Sequence, residues 1–165
     1  MKLAECFDYK NKLMEDLLTN PKIVHLIDEK VEVEGAEILA YHNVFPYEYI
    51  PETAEDGRTY ICFDVDILSA ENKTFYLPAL YVWVFSHKSK LRLPDGGVRT
   101  DALCNEIANT IAGSRKYGLG ELLLYSVKRF AAMTDYPGKV LTFHTKDFNT
   151  QYDPNKYTPK NRKLG

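Results

Sequence analysis

Apolar positions along the chain change period part-way through. Leu3, Phe7, Met14, Leu17 and Leu18 recur at helical spacing, with Asp8, Lys10, Lys12 and Asp16 on other faces, so the N-terminal part predicts helix. Asn20 is a good N-cap and Pro21 suits a first helical position, which restarts a short helix carrying Ile23, Val24, Leu26 and Ile27. Residues 43–57, "NVFPYEYIPETAEDG", hold prolines and aromatics and predict an extended, turning segment laid over a sheet. "TYICFDVDIL" then alternates strictly. Ile61, Phe63, Val65 and Ile67 share one face of the expected strand, and Tyr60, Cys62, Asp64 and Asp66 the other. "TFYLPALYVWVFSHK" is apolar on both faces, so both faces need cover, and Pro78 marks a strand start, bulge or edge.

After a loop punctuated by Pro94, Gly96 and Gly97, Leu103, Ile107 and Ile111 predict a helix that Thr100 or Asp101 caps and Gly113 ends. "ELLLYSVKRF" and "GKVLTFHTKDF" predict two further strands, joined by a turn at Tyr136-Pro137-Gly138. The order predicts an α+β fold: an antiparallel β-sheet of about four strands with helices packed on one face. Residues 1–149 form a single domain in this reading. Residues 150–165, polar, proline-broken and basic, form a flexible C-terminal tail.

Composition adds little chemistry. A net charge of −2 gives no sign of nucleic-acid or anionic-membrane binding, and no apolar run is long enough to span a bilayer. Cys6, Cys62 and Cys104 lie far apart, without metal or redox spacing, and read as reduced thiols in a cytoplasm. Twelve tyrosines suggest a sheet that meets partners. Asp64 and Asp66 share a strand face and could reach one metal ion, as a metal-dependent nuclease requires, with Glu106 or Asp101 as further ligands. No neighbouring motif supplies those ligands, and the alternation already accounts for the pair as a wet face. His25 reads as a packing residue, and His42, His87 and His144 lack ligand spacing. The glycine loops "PDGGVRTD" and "YGLG" match no phosphate-binding pattern. The expectation is a non-enzyme without cofactor or metal, with Tyr81, Trp83, Phe85, Arg99, Tyr47 and Tyr49 as candidate subunit or partner interface. Arg99 could equally steady its own loop.

"NVFPYEYIPET", "RTYICFDVDI", "YVWVFSHK", "GVRTDALCNEIANTIAGS", "GLGELLLYS" and "FHTKDFN" occur in this order over residues 43–149. Together they resemble small proteins encoded among the head-tail joining and tail genes of tailed bacteriophages and prophages. The element order is similar to the tail terminator (tail completion) fold. That resemblance implies a structural virion protein forming a hexameric ring, which caps the tail tube and joins it to the neck or connector. Its implied partners are further copies of itself, the tail tube protein and neck or connector proteins. DNA passes through without specific binding, no membrane is involved, and assembly takes place in the host bacterial cytoplasm. A neck or head-completion connector subunit is the sibling reading. A nuclease using Asp64 and Asp66, or an adaptor binding a host protein, are the readings from other classes.

Overall fold

A computed structural model of the chain describes residues 3–53, 57–69, 75–145 and 147–148. The expected C-terminal tail, 150–165, lies outside the described residues. Helices α1 (Leu3–Phe7), α2 (Tyr9–Leu18) and α3 (Pro21–Ile27) open the chain, followed by a 3-10 segment at Val33–Leu39. Strands β1 (Val44–Phe45), β2 (Thr59–Ser69) and β3 (Phe75–Ser86) follow, then helix α4 (Arg99–Ile111), β4 (Leu123–Met133), β5 (Tyr136–His144) and β6 (Asp147–Phe148). The sheet order is β1-β2-β3-β5-β4, with β6 also pairing β3. The four long strands run antiparallel. Two-residue β1 pairs parallel to β2 and makes the sheet mixed rather than purely antiparallel.

The predicted α+β architecture is present because the two sequence periods meet in one core. Cys6, Tyr9, Leu13, Leu17, Ile23, Leu103 and Ile107 from the helices are buried with Ile61, Phe63, Leu80, Val82, Val84, Leu141 and Phe143 from the sheet. Asn20 caps α3 as expected, its side chain accepting from the Lys22 and Ile23 backbone N–H groups. The buried stripe of the N-terminal helices differs from the expected one. Leu3 and Phe7 are exposed, and Cys6, Tyr9 and Leu13 face the core in their place. His25 is exposed rather than packed.

The cap of α4 is Val98, not Thr100 or Asp101, because the preceding loop folds back on itself before the helix. Arg92 bridges Val98 across a tight turn, with Gly96 and Gly97 at φ +93° and +87°. The β4–β5 turn falls at Thr134–Asp135, and Tyr136, Pro137 and Gly138 belong to β5. Gly138 is required there for a reason of approach rather than of turning. A Cβ at this position would sit 2.6 Å from Phe85 Cα and closer still to the Val84 carbonyl oxygen. Pro78 lies inside β3, at a gap in its neighbours: β5 begins to pair at Ala79 and β6 pairs only Phe75 and Tyr76. Pro78 is in register with Ile67 of β2, and its carbonyl, which accepts from Thr145 N–H, points to the β5–β6 side, so its missing N–H falls in that gap rather than in a ladder.

The segment after β1 lies over the second face of the sheet, as the proline pattern predicts. Phe45 and Tyr49 stack with ring centroids 3.9 Å apart, over Tyr60, Phe85 and Tyr136, so one end of this face is a small aromatic core. Asn43 ties the entry down. Its side chain donates to Thr59 O, and its own carbonyl accepts from Ile61 N–H.

Candidate interaction surface

The two aspartates singled out by the alternation sit on the second face, beyond the aromatic patch. Asp64 is engaged within the chain. Its Oδ1 lies 3.1 Å from Lys10 Nζ and accepts the Val65 N–H at 2.9 Å. Lys10 also donates to Pro46 O, so this cation folds around the sheet rim where β1 stops. Asp66 is exposed nearby. Among the described residues, no group of three His, Cys, Asp or Glu side chains is placed to hold a metal ion. Glu106 and Asp101 lie on α4, on the helical side of the sheet, and Asp101 pairs with Lys139.

The six residues expected at an interface separate into distinct environments. Phe85 is fully buried in the aromatic cluster, and Tyr49 is half-buried on Phe45. Tyr81 and Trp83 are half-buried and stack on each other at 5.9 Å. Tyr47 is the exposed aromatic of the group. Arg99 is spent inside the molecule. Its Nε donates to Lys90 O at 2.8 Å, its Nη1 to Leu26 O at 2.7 Å, and its Nη2 to Glu29 Oε1 at 3.0 Å. That pins the loop to the end of α3 and leaves the guanidinium buried, which corrects its expected place at a partner surface. The Arg99 charge and hydrogen bond hold the Glu29 carboxyl below the usual glutamate range. Burial pushes the thiols of Cys62 up to about 12 and of Cys104 up to about 11, so neither is a ready nucleophile.

Four large exposed apolar side chains lie close together on β4, the strand that periodicity treated as ordinary. Helix α4 lies against β3 and β5, and β4 stands outside that cover at the sheet edge. Leu123 is 57% exposed, Leu124 42%, Tyr125 69% and Val127 47%, so both faces of the strand offer apolar side chains. Tyr125 stacks on His144 with centroids 4.2 Å apart, beside a groove of about 720 Å³ that Leu123 and Leu124 also line. Further along, Lys128 and Arg129 are exposed, and register shifts at Leu124/Ser126 and Ala131/Met133 bracket the regular part of the edge. Exposed Leu68 and Leu77 continue the apolar strip across β2 and β3 at the same end of the sheet. The sequence signal was present in "ELLLYSV", whose apolar residues do not alternate; what it could not say is that β4 lies at the sheet edge, with Leu123, Leu124, Tyr125 and Val127 exposed among the described residues.

No helix among the described residues is long and apolar enough to cross a membrane. A protein-family model described as YomW matches residues 2–145. No curated protein and no solved structure matches the chain.

Proposed function

The chain belongs to the YomW family, a phage or prophage type by its name, and from that premise we propose that it is a structural virion protein, a tail terminator. In this reading copies of the chain form a hexameric ring that caps the tail tube and joins it to the neck or connector. The observation that carries it is β4: an eleven-residue edge strand with four large apolar side chains in solvent. A long apolar edge is a liability in a chain that stays alone, and a seam in one that assembles. A closed ring uses one patch against a different patch, which needs two unlike surfaces rather than a self-complementary one. The net charge of −2 suits a ring through which DNA passes without specific binding.

The reading implies assembly in the host bacterial cytoplasm and retention in the particle. Mass spectrometry of purified, DNA-filled particles is the direct test, with immunogold labelling to place the chain at the tail–neck joint. Absence from those particles ends the reading; labelling on the head side of the joint favours the connector sibling instead. A nuclease is less well supported, since Asp64 is already held by Lys10 and the Val65 N–H.

A further inference from the structure

The sheet has a second incomplete edge. β1 pairs β2 only at Ile61 and Cys62, so from Phe63 onward β2 has no strand neighbour on that side among the described residues. Ile61 N–H points to that side, where it meets Asn43 O. Backbone groups alternate along a strand, so those of Phe63, Val65 and Ile67 point there too. The Val65 N–H donates to the Asp64 side chain.

The geometry points to direct pairing of two copies: β4 of one subunit adds to β2 of the next, beyond β1, with Lys128 facing the acidic pair Asp64 and Asp66. This rests on the ring reading and supplies its seam. Four observations carry it. First, direction: β2, β3, β5 and β4 alternate, so a neighbour placed in the same orientation brings its β2 antiparallel to β4. Second, register: tracing the pairs across the sheet, Lys128 is level with Val140, Trp83 and Cys62. Since β1 occupies the rim at Cys62, the incoming β4 must slide toward the C-terminal end of β2.

Third, parity: only an even slide keeps each side chain on its own face. A slide of two sets Lys128 beside Asp64, and a slide of four sets it beside Asp66. The slide of two also sets Val127 beside Val65 and the exposed Leu123 beside the exposed Leu68. Fourth, charge: Lys128 and Arg129 at the centre of the edge disfavour a second β4 in the same place, because like charges directly opposite destabilise a strand pair. They favour an acidic strand. Donation of the Val65 N–H to a neighbour's carbonyl releases the Asp64 carboxylate to face Lys128.

The test is a charge swap read by sedimentation velocity and native mass spectrometry, with circular dichroism confirming that each variant is folded. Lys128→Glu and Asp66→Lys, each alone, are expected to raise the subunit dissociation constant about tenfold, the effect of a repulsive pair in place of an attractive one. Mixing the two variants is expected to restore assembly, because each mutated edge then meets its opposite. Assembly of either single variant at wild-type strength overturns the proposal. So does a gain in self-association by Lys128→Glu alone, which identifies a symmetric β4–β4 dimer. A wild-type chain that is found in particles yet stays monomeric in solution overturns the edge pairing and leaves the virion reading standing. Charge-swap rescue in a chain absent from particles does the reverse.

Discussion

Gly138 and Arg99 show how single positions hold elements together. Any side chain at Gly138 drives a Cβ into the backbone of β3, which has no room to yield between β2 and β5. Gly138→Ala is therefore expected to cost about 3 kcal/mol, the upper part of the range for forced overpacking, measured as a lower urea midpoint. Arg99 ties three segments through bonds to Leu26 O, Lys90 O and Glu29. The sign of its pH dependence follows from Glu29, whose folded-state carboxyl is depressed. The pair's contribution is fully present above the ordinary glutamate range and is lost as pH falls through the lower, folded value. A Glu29→Gln variant is expected to lose that acid-side slope in stability against pH while keeping the neutral and alkaline shape. Pulsed alkylation gives a third check: Cys62 and Cys104 are expected to react only on unfolding, given burial and thiols raised to about 12 and about 11.

Among the elements, the short helix α3 depends on its cap. Asn20 satisfies two otherwise unmet N–H groups, so Asn20→Ala is expected to lower stability by about 1 kcal/mol in thermal unfolding. That cap was legible in the residues, as was the alternation of β2, because both are local rules that the three-dimensional context leaves intact. The β4–β5 turn was not. Tyr136-Pro137-Gly138 has the composition of a turn, yet Pro137 sits at a strand start and Gly138 is there for close packing against Phe85. The cap of α4 was also misplaced, because Arg99, one residue after Val98, is drawn inward by carbonyls from α3 and the loop, a non-local demand. The apolar edge at β4 escaped the sequence for a related reason. Periodicity located the apolar strand with two covered faces, but strand order decides exposure, and β3 is central while β4 is the edge.

At the scale of the molecule, the asymmetry is one of cover. Helices close one face of β2, β3 and β5; aromatic rings close part of the other; β4 and the outer half of β2 remain at the rims. Breaking the β4 rim should therefore separate assembly from folding. The double variant Tyr125→Asp, Val127→Lys changes two exposed side chains and is expected to leave thermal unfolding within about 0.5 kcal/mol of wild type, as surface changes do. Its subunits should nonetheless stay apart in sedimentation at concentrations where the wild type associates.

The stack of Trp83 on Tyr81 has a practical consequence. Trp83 is the chain's one tryptophan, half-buried on the open side of the sheet between the aromatic patch and the acidic rim. The molecule thus carries its own optical gauge. Indole emission should move to the red as the patch dissolves, and light quenching by iodide should fall when anything settles over that side, with no label attached.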